Sequence, residues 1–162
     1  MKFLADGMLG KLTRWLRMLG QDVEYSNNME DSQLLAMAKE EERILLTRDF
    51  DLYQRAVGRG IDAFYVEGET AEDKLAELAE RFDFALNIDM TISRCPKCNS
   101  AIRRVSSEEA AEEVEKRTLD HYKKFWKCSN CGQIYWQGAH WTKIASTLRM
   151  AKKIVEKSKK EN

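Results

Sequence analysis

Two periods alternate along the first part of the chain: short continuous apolar runs, and longer stretches with apolar residues three or four apart. KFLA at 2–5 reads as a short buried strand. Leu9, Leu12, Trp15, Leu16 and Leu19 then line one face of a helix, with Gly20 placed to stop it. DVEY at 22–25 is a candidate second strand. Asp31 stands as an N-cap before Leu34, Leu35 and Ala38, so a helix is expected from there to about Glu41. RILLT at 43–47 is the clearest strand, continuous in Ile and Leu as central parallel strands are. A helix over 52–57, the breakers Gly58 and Gly60, a strand IDAFYV at 61–66 and a helix over 71–82 follow, with FALNI at 84–88 as a possible last strand. This order predicts an α/β fold: a mostly parallel sheet flanked by helices on both faces and joined by right-handed crossovers.

The pattern changes near residues 91–94, which divides the chain into a sheet module over 1–92 and a smaller module over 93–162. The second part holds two Cys-x-x-Cys pairs among strand-like residues, and a polar 106–118 stretch open to either a helical insert or a loop. It closes with a helical stripe of Trp141, Ile144, Ala145, Leu148, Ala151 and Val155, which should cover apolar surface on one of the modules.

Composition narrows the class. The chain has 162 residues, 43% hydrophobic and 33% charged, which is enough for a core without disulfides and excludes a disordered or collagenous chain. No apolar run approaches the roughly 20 residues of a membrane span, and Asp6 interrupts any signal-like start, so a cytoplasmic setting is expected. The formal net charge of zero hides a division: residues 1–93 hold 11 Lys/Arg against 19 Asp/Glu, and the remainder holds 16 against 8. The basic part is suited to a polyanion, although a Lys-rich end such as KSKKEN also serves solubility.

All four cysteines, Cys95, Cys98, Cys128 and Cys131, belong to the two pairs, which 29 residues separate. One tight turn presents two sulfurs to one ion, and two such turns complete a closed tetrahedral site that suits structural Zn²⁺. Iron–sulfur or redox use is the alternative, and a reducing compartment disfavours disulfides. His121 and His140 are not needed as ligands; the first is expected on an exposed helix and the second packed or facing a ligand.

Position, not abundance, singles out certain carboxylates. Asp6 follows the first strand and Asp49 the strongest one, and in a parallel sheet the residues just past strand C-termini meet at the ligand crevice. Asp31 and Asp51 are within reach of the same place. Each of Asp31, Asp49 and Asp51 also has a plain role as a helix cap. Gathered together, such carboxylates call for a divalent cation, Mg²⁺ or Mn²⁺, and for phosphoryl transfer or phosphodiester hydrolysis. Lys11, Arg14 and Arg17 on the first helix, and Arg48 beside Asp49, are candidates to hold a phosphate backbone or to pair with the aspartates. Glu40, Glu41, Glu42, Glu72, Asp73 and Glu77 read as solvated helix faces. Nucleophile-elbow, phosphate-loop and dinucleotide fingerprints are absent from the sequence.

FLADGMLGKLTRWLRMLGQD at 3–22, Asp31 ahead of LLAMAKEEERILLTRDFDL, RCPKCN at 94–99 and FWKCSNCGQIYWQGAHW at 125–141 together resemble PIN-like ribonuclease domains that carry a C-terminal zinc ribbon. The resemblance implies a PIN-like parallel sheet, then a four-cysteine ribbon and a C-terminal helix. It also implies metal-dependent hydrolysis of RNA by activated water, leaving a 5′-phosphate, with Asp6 and Asp49 as metal ligands and Asp31 and Asp51 as the additional acidic positions. In that picture the ribbon positions RNA through Arg103, Arg104, Lys123, Lys124 and Lys127, with Tyr135, Trp136 or Trp141 against bases unless those rings are needed for packing. A non-catalytic RNA- or ribosome-binding protein, and a protein-docking module built on zinc, are the competing readings.

Overall fold

The computed structural model describes residues 1–162. Strands β1 (Lys2–Ala5), β2 (Asp22–Tyr25), β3 (Ile44–Thr47) and β4 (Ala63–Tyr65) form one sheet in the order β2-β1-β3-β4, parallel throughout. The two inner strands are buried on both sides, which is why they read as unbroken apolar runs. Strand alternation then divides their side chains. Phe3, Ala5 and Leu46 face a core shared with α1 (Gly10–Met18), α4 (Ala71–Phe82) and α7 (Trp141–Glu161). Leu4 and Leu45 face a smaller core with α2 (Asp31–Glu40) and α3 (Phe50–Gly58). Helices therefore cover both faces, as the alternating pattern requires.

Helix ends explain most boundary differences. Gly20, at φ 91°, takes the left-handed turn that ends the α1 segment and aims the chain into β2. Helix α2 is capped by Glu30, not Asp31: a capping box ties the Glu30 side chain to the Gln33 backbone, and Gln33 back to the Glu30 N–H. Asp49 does cap α3, its Oδ1 accepting the Leu52 N–H at 3.2 Å, so that helix begins at Phe50 and runs longer than its apolar residues indicate. FALNI is not a strand. After the left-handed Asp83, Leu86 turns into the main core and Phe84 and Ile88 pack against it, so their apolar character serves core closure and not edge pairing.

Beyond residue 93 the chain forms an antiparallel sheet, β5 (Ile102–Val105), β6 (Phe125–Cys128) and β7 (Ile134–Tyr135), in sequence order. The polar stretch before β6 holds two short helices, α5 (Ser107–Ala110) and α6 (Lys116–His121). Ala110 and Val114 pack there with Phe125 in a core of only five buried residues. The stripe on α7 does not close this small core. Leu148 and Ala151 enter the large one beside α4, with Ile144 and Val155 against it. No helix is long and apolar enough to cross a membrane.

Candidate active site and metal centre

Strands β1 and β3 are parallel neighbours, so their C-terminal ends carry Asp6 and Asp49 to one edge of the sheet. The Asp6 N–H extends the ladder to the Leu46 carbonyl at 3.0 Å. Thr47, fully buried at the end of β3, then joins the two aspartates. Its hydroxyl donates to Asp6 Oδ2 at 2.7 Å and accepts the Asp49 N–H at 2.9 Å. No lysine, arginine or histidine nitrogen lies within the 4.0 Å ion-pair distance of either carboxylate. The other two acidic candidates are placed differently. Asp31 accepts from Arg55 at 2.6 Å, and Asp51 lies 3.6 Å from the same guanidinium. The four aspartates do not bring three ligand oxygens within 4.8 Å of one another.

The cysteines do converge. All four Sγ atoms lie within 4.8 Å of one another, with Cys95–Cys131 at 3.7 Å and Cys98–Cys128 at 3.3 Å. A tetrahedral thiolate site with metal–sulfur bonds of about 2.3 Å has edges of about 3.8 Å, so the donor set matches such a centre. Around it, the N–H groups of Asn130 and Cys131 each donate to Cys128 Sγ at 3.4 Å, and the Tyr135 hydroxyl stands 3.0 Å from Cys95 Sγ. Burial opposes the Cys98 thiolate, but hydrogen bonds from Ser100, Cys128 and Asn130 outweigh it and bring the thiol down to about 6. Burial, then donation to Cys95, pushes the Tyr135 hydroxyl up.

Comparison with protein families matches residues 1–148 to the Mut7-C RNAse domain. The chain belongs to that family. It is a PIN-like Mut7-C domain with a four-cysteine cluster resembling a zinc ribbon in its C-terminal part. No curated protein and no solved structure matches it.

In this Mut7-C domain the ribbon is fastened to the edge strand β2. Val23 has its backbone N–H and carbonyl turned away from β1. The Asn99 side-chain carbonyl accepts the N–H at 3.0 Å, and Arg17 Nε donates to the carbonyl at 2.9 Å. Asn99 Nδ2 also donates to Asp22 at 2.8 Å, and Arg17 donates to the Pro96 carbonyl at 2.9 Å. A side chain and a guanidinium thus complete an edge that would otherwise be open to pairing with another chain. Asp22 is further held by Arg43 at 2.8 Å. Burial works against its charge, but the bonds from Arg43 and Asn99 prevail and hold its pKa below the ordinary value.

This docking corrects one expectation directly. Arg17 is not part of an exposed basic face; it is 6% exposed and holds the first Cys-x-x-Cys turn. Burial lowers its pKa, opposed by Glu24, Cys98, Cys95 and Asp22. Lys11 and Arg14 remain exposed on α1. Arg48 donates to the Gly68 carbonyl on the loop after β4. That loop reveals a residue the helical pattern misjudged. Glu77 is not a solvated face residue: it accepts the Glu67 and Gly68 N–H groups at 3.0 and 3.1 Å, and burial raises its carboxyl despite them. Gly68 lies so close to α4 that a Cβ would stand 2.7 Å from the Lys74 nitrogen, a proximity no pattern along the chain reveals.

The ribbon's own cations are dispersed. Arg103 pairs with Glu109 at 2.8 Å, Arg104 lies over the Trp126 ring at 5.6 Å, Lys123 and Lys124 are exposed, and Lys127 is half-buried. Trp136 packs toward Phe125, with ring centroids 6.2 Å apart, and with Trp141, Tyr135, Met18 and Ile88 it lines a cavity of about 540 Å³. His140 is exposed on the rim of that cavity, and His121 is exposed on α6. The ribbon docks where α1 ends and β2 begins, whereas Asp6 stands where β1 ends and α1 is about to begin. About 14 Å of helix separates the two.

Proposed function

We propose that this Mut7-C domain is a metal-dependent ribonuclease whose carboxylates Asp6 and Asp49 hold Mg²⁺ or Mn²⁺. One observation carries the reading: at neighbouring strand ends the Thr47 hydroxyl bonds the Asp6 carboxylate and the Asp49 backbone N–H, and neither carboxylate has a cationic partner from the protein. Hard oxygen donors at a crevice fit such an ion. Bound there, a divalent cation supplies an activated water and offsets charge gained by the phosphate. The chain's part is positional. Thr47 fixes the rotamer of Asp6 and the backbone that carries Asp49, while Lys11, Arg14 and Arg48 attract the RNA backbone along the same end of the sheet. The four cysteines hold Zn²⁺ as a structural ion, closing a ribbon whose own core is too small to do so. A cytoplasmic setting keeps those thiols reduced.

Mn²⁺-dependent cutting of an RNA panel, lost at least a hundredfold in both Asp6→Asn and Asp49→Asn, is the expected result. The pairing of Asp31 with Arg55 favours a second reading, an RNA- or ribosome-binding protein that keeps the fold without the chemistry. It predicts RNA retention unaltered by Asp6→Asn and no cutting under either metal.

A further inference from the structure

At the end of the sheet that carries Asp49, three aromatic rings form a connected surface. Phe50 is the first residue of α3, Tyr53 lies one turn along, and Tyr65 ends β4 as the register partner of Thr47. Ring centroids are 5.4 Å apart for Phe50 and Tyr65, and 6.0 Å for each of the other two pairs. Phe50 is 52% exposed, while Leu52 and Ala56 of the same helix are fully buried, so the ring does not serve the core beneath it. Asp49 caps the helix from below, and the tyrosines pack against the ring edge-on and tilted, which fixes its direction.

We infer that Phe50, supported by Tyr53 and Tyr65, is a stacking platform for an unpaired nucleobase next to the phosphate held at Asp6 and Asp49. The assignment of the neighbouring phosphate rests on the nuclease reading; the platform itself is testable by binding alone. An exposed aromatic face stacks on any base and gives no sequence code, so the platform selects single-stranded over paired substrate. It stands at the carboxylate end of the sheet, whereas Tyr135, Trp136 and Trp141 line the cavity beside Met18 at the far end of α1.

The test is a cycle in the Asp6→Asn background, where the strand stays intact. Fluorescence anisotropy compares a ten-nucleotide oligouridine with the same strand made abasic at its central positions. The base-bearing strand is expected to bind roughly 5- to 100-fold more tightly. Phe50→Ala should remove most of that preference while binding the abasic strand as the parent does, and Phe50→Tyr should retain the preference; simple loss of fold would weaken binding of both strands. No preference for bases, or a preference that Phe50→Ala leaves unchanged, overturns the platform. So does a Phe50-dependent dimer in sedimentation, since Val57 is equally exposed on the same helix and a second copy of the chain is the competing occupant. Wild-type protein that cuts RNA yet ignores the bases removes the platform and leaves the nuclease standing. Base-dependent binding without cutting by the wild type does the reverse.

Discussion

The thiol cluster and the carboxylate edge respond to the same electrostatic problem in opposite ways. Four cysteine sulfurs can be gathered within 4.8 Å because a thiol is neutral until a metal or a donor takes the proton's place. Aspartates are charged at neutral pH, and the chain keeps them apart or gives them partners. Asp22 has Arg43 and Asn99, Asp31 has Arg55, and Asp6 and Asp49 have no cation: the neutral Thr47 hydroxyl links the Asp6 carboxylate to the Asp49 backbone. The cluster is thus a site whose donors the fold completes. The edge, in the proposed reading, is a site that an incoming cation would complete.

Breaking the cluster should have the largest effect. Chelation, or Cys128→Ser, removes a binding free energy on the order of 10 kcal/mol from a ribbon with five buried core residues. One equivalent of zinc should be lost, and the β5–β7 region should become open to limited proteolysis; a ribbon that stays protected without metal would break the comparison.

The edge should be sensitive in activity and tolerant in fold. Thr47→Val keeps the shape but removes the hydroxyl that joins Asp6 to the Asp49 backbone, so cleavage should fall by roughly a hundredfold at unchanged zinc content. Asp31→Asn should cost at least tenfold less than Asp6→Asn, because its partner is Arg55 and not the shared hydroxyl. Equal losses at Asp31 and Asp6 in a steady-state assay would place Arg55 inside the site.

The junction should give smaller, structural effects. Asn99→Ala leaves the Val23 N–H without an acceptor, a loss of about 1–3 kcal/mol, readable as a lower denaturant midpoint with zinc retained. Smallest is the acid response of Asp22. Its pKa is depressed in the folded protein, so its contribution is complete above the unfolded value near 4 and disappears as pH falls through the lower folded value. Below about pH 4, stability should therefore fall less steeply with acidification in Asp22→Asn than in the wild type.

Periodicity sufficed for the core because burial acts on every residue of an element at once. The unbroken runs KFLA and RILLT already mark strands buried on both faces, which strand geometry then divides into Phe3 and Leu46 against Leu4 and Leu45, and the α7 stripe announces a helix with something to cover. It could not say that α7 covers the sheet module, since an apolar face does not name its partner. The two Cys-x-x-Cys turns were legible for a related reason: a metal site demands four donors, and the chain has only four cysteines.

Charged and polar groups defeated the same reasoning. A helix face gives Arg17 and Glu77 the look of solvated residues, yet one holds the ribbon and the other the Gly68 loop, because partners 79 and 9 residues away come within hydrogen-bond reach. FALNI failed similarly, its apolar side chains being taken up by the core in place of a strand edge. What the sequence determined alone was which surfaces must leave water and which sulfurs must meet. What only the tertiary structure decided was the pairing of long-range polar groups, Thr47 between two aspartates and Asn99 on Val23, because hydrogen bonds depend on directions and distances that no one-dimensional pattern carries.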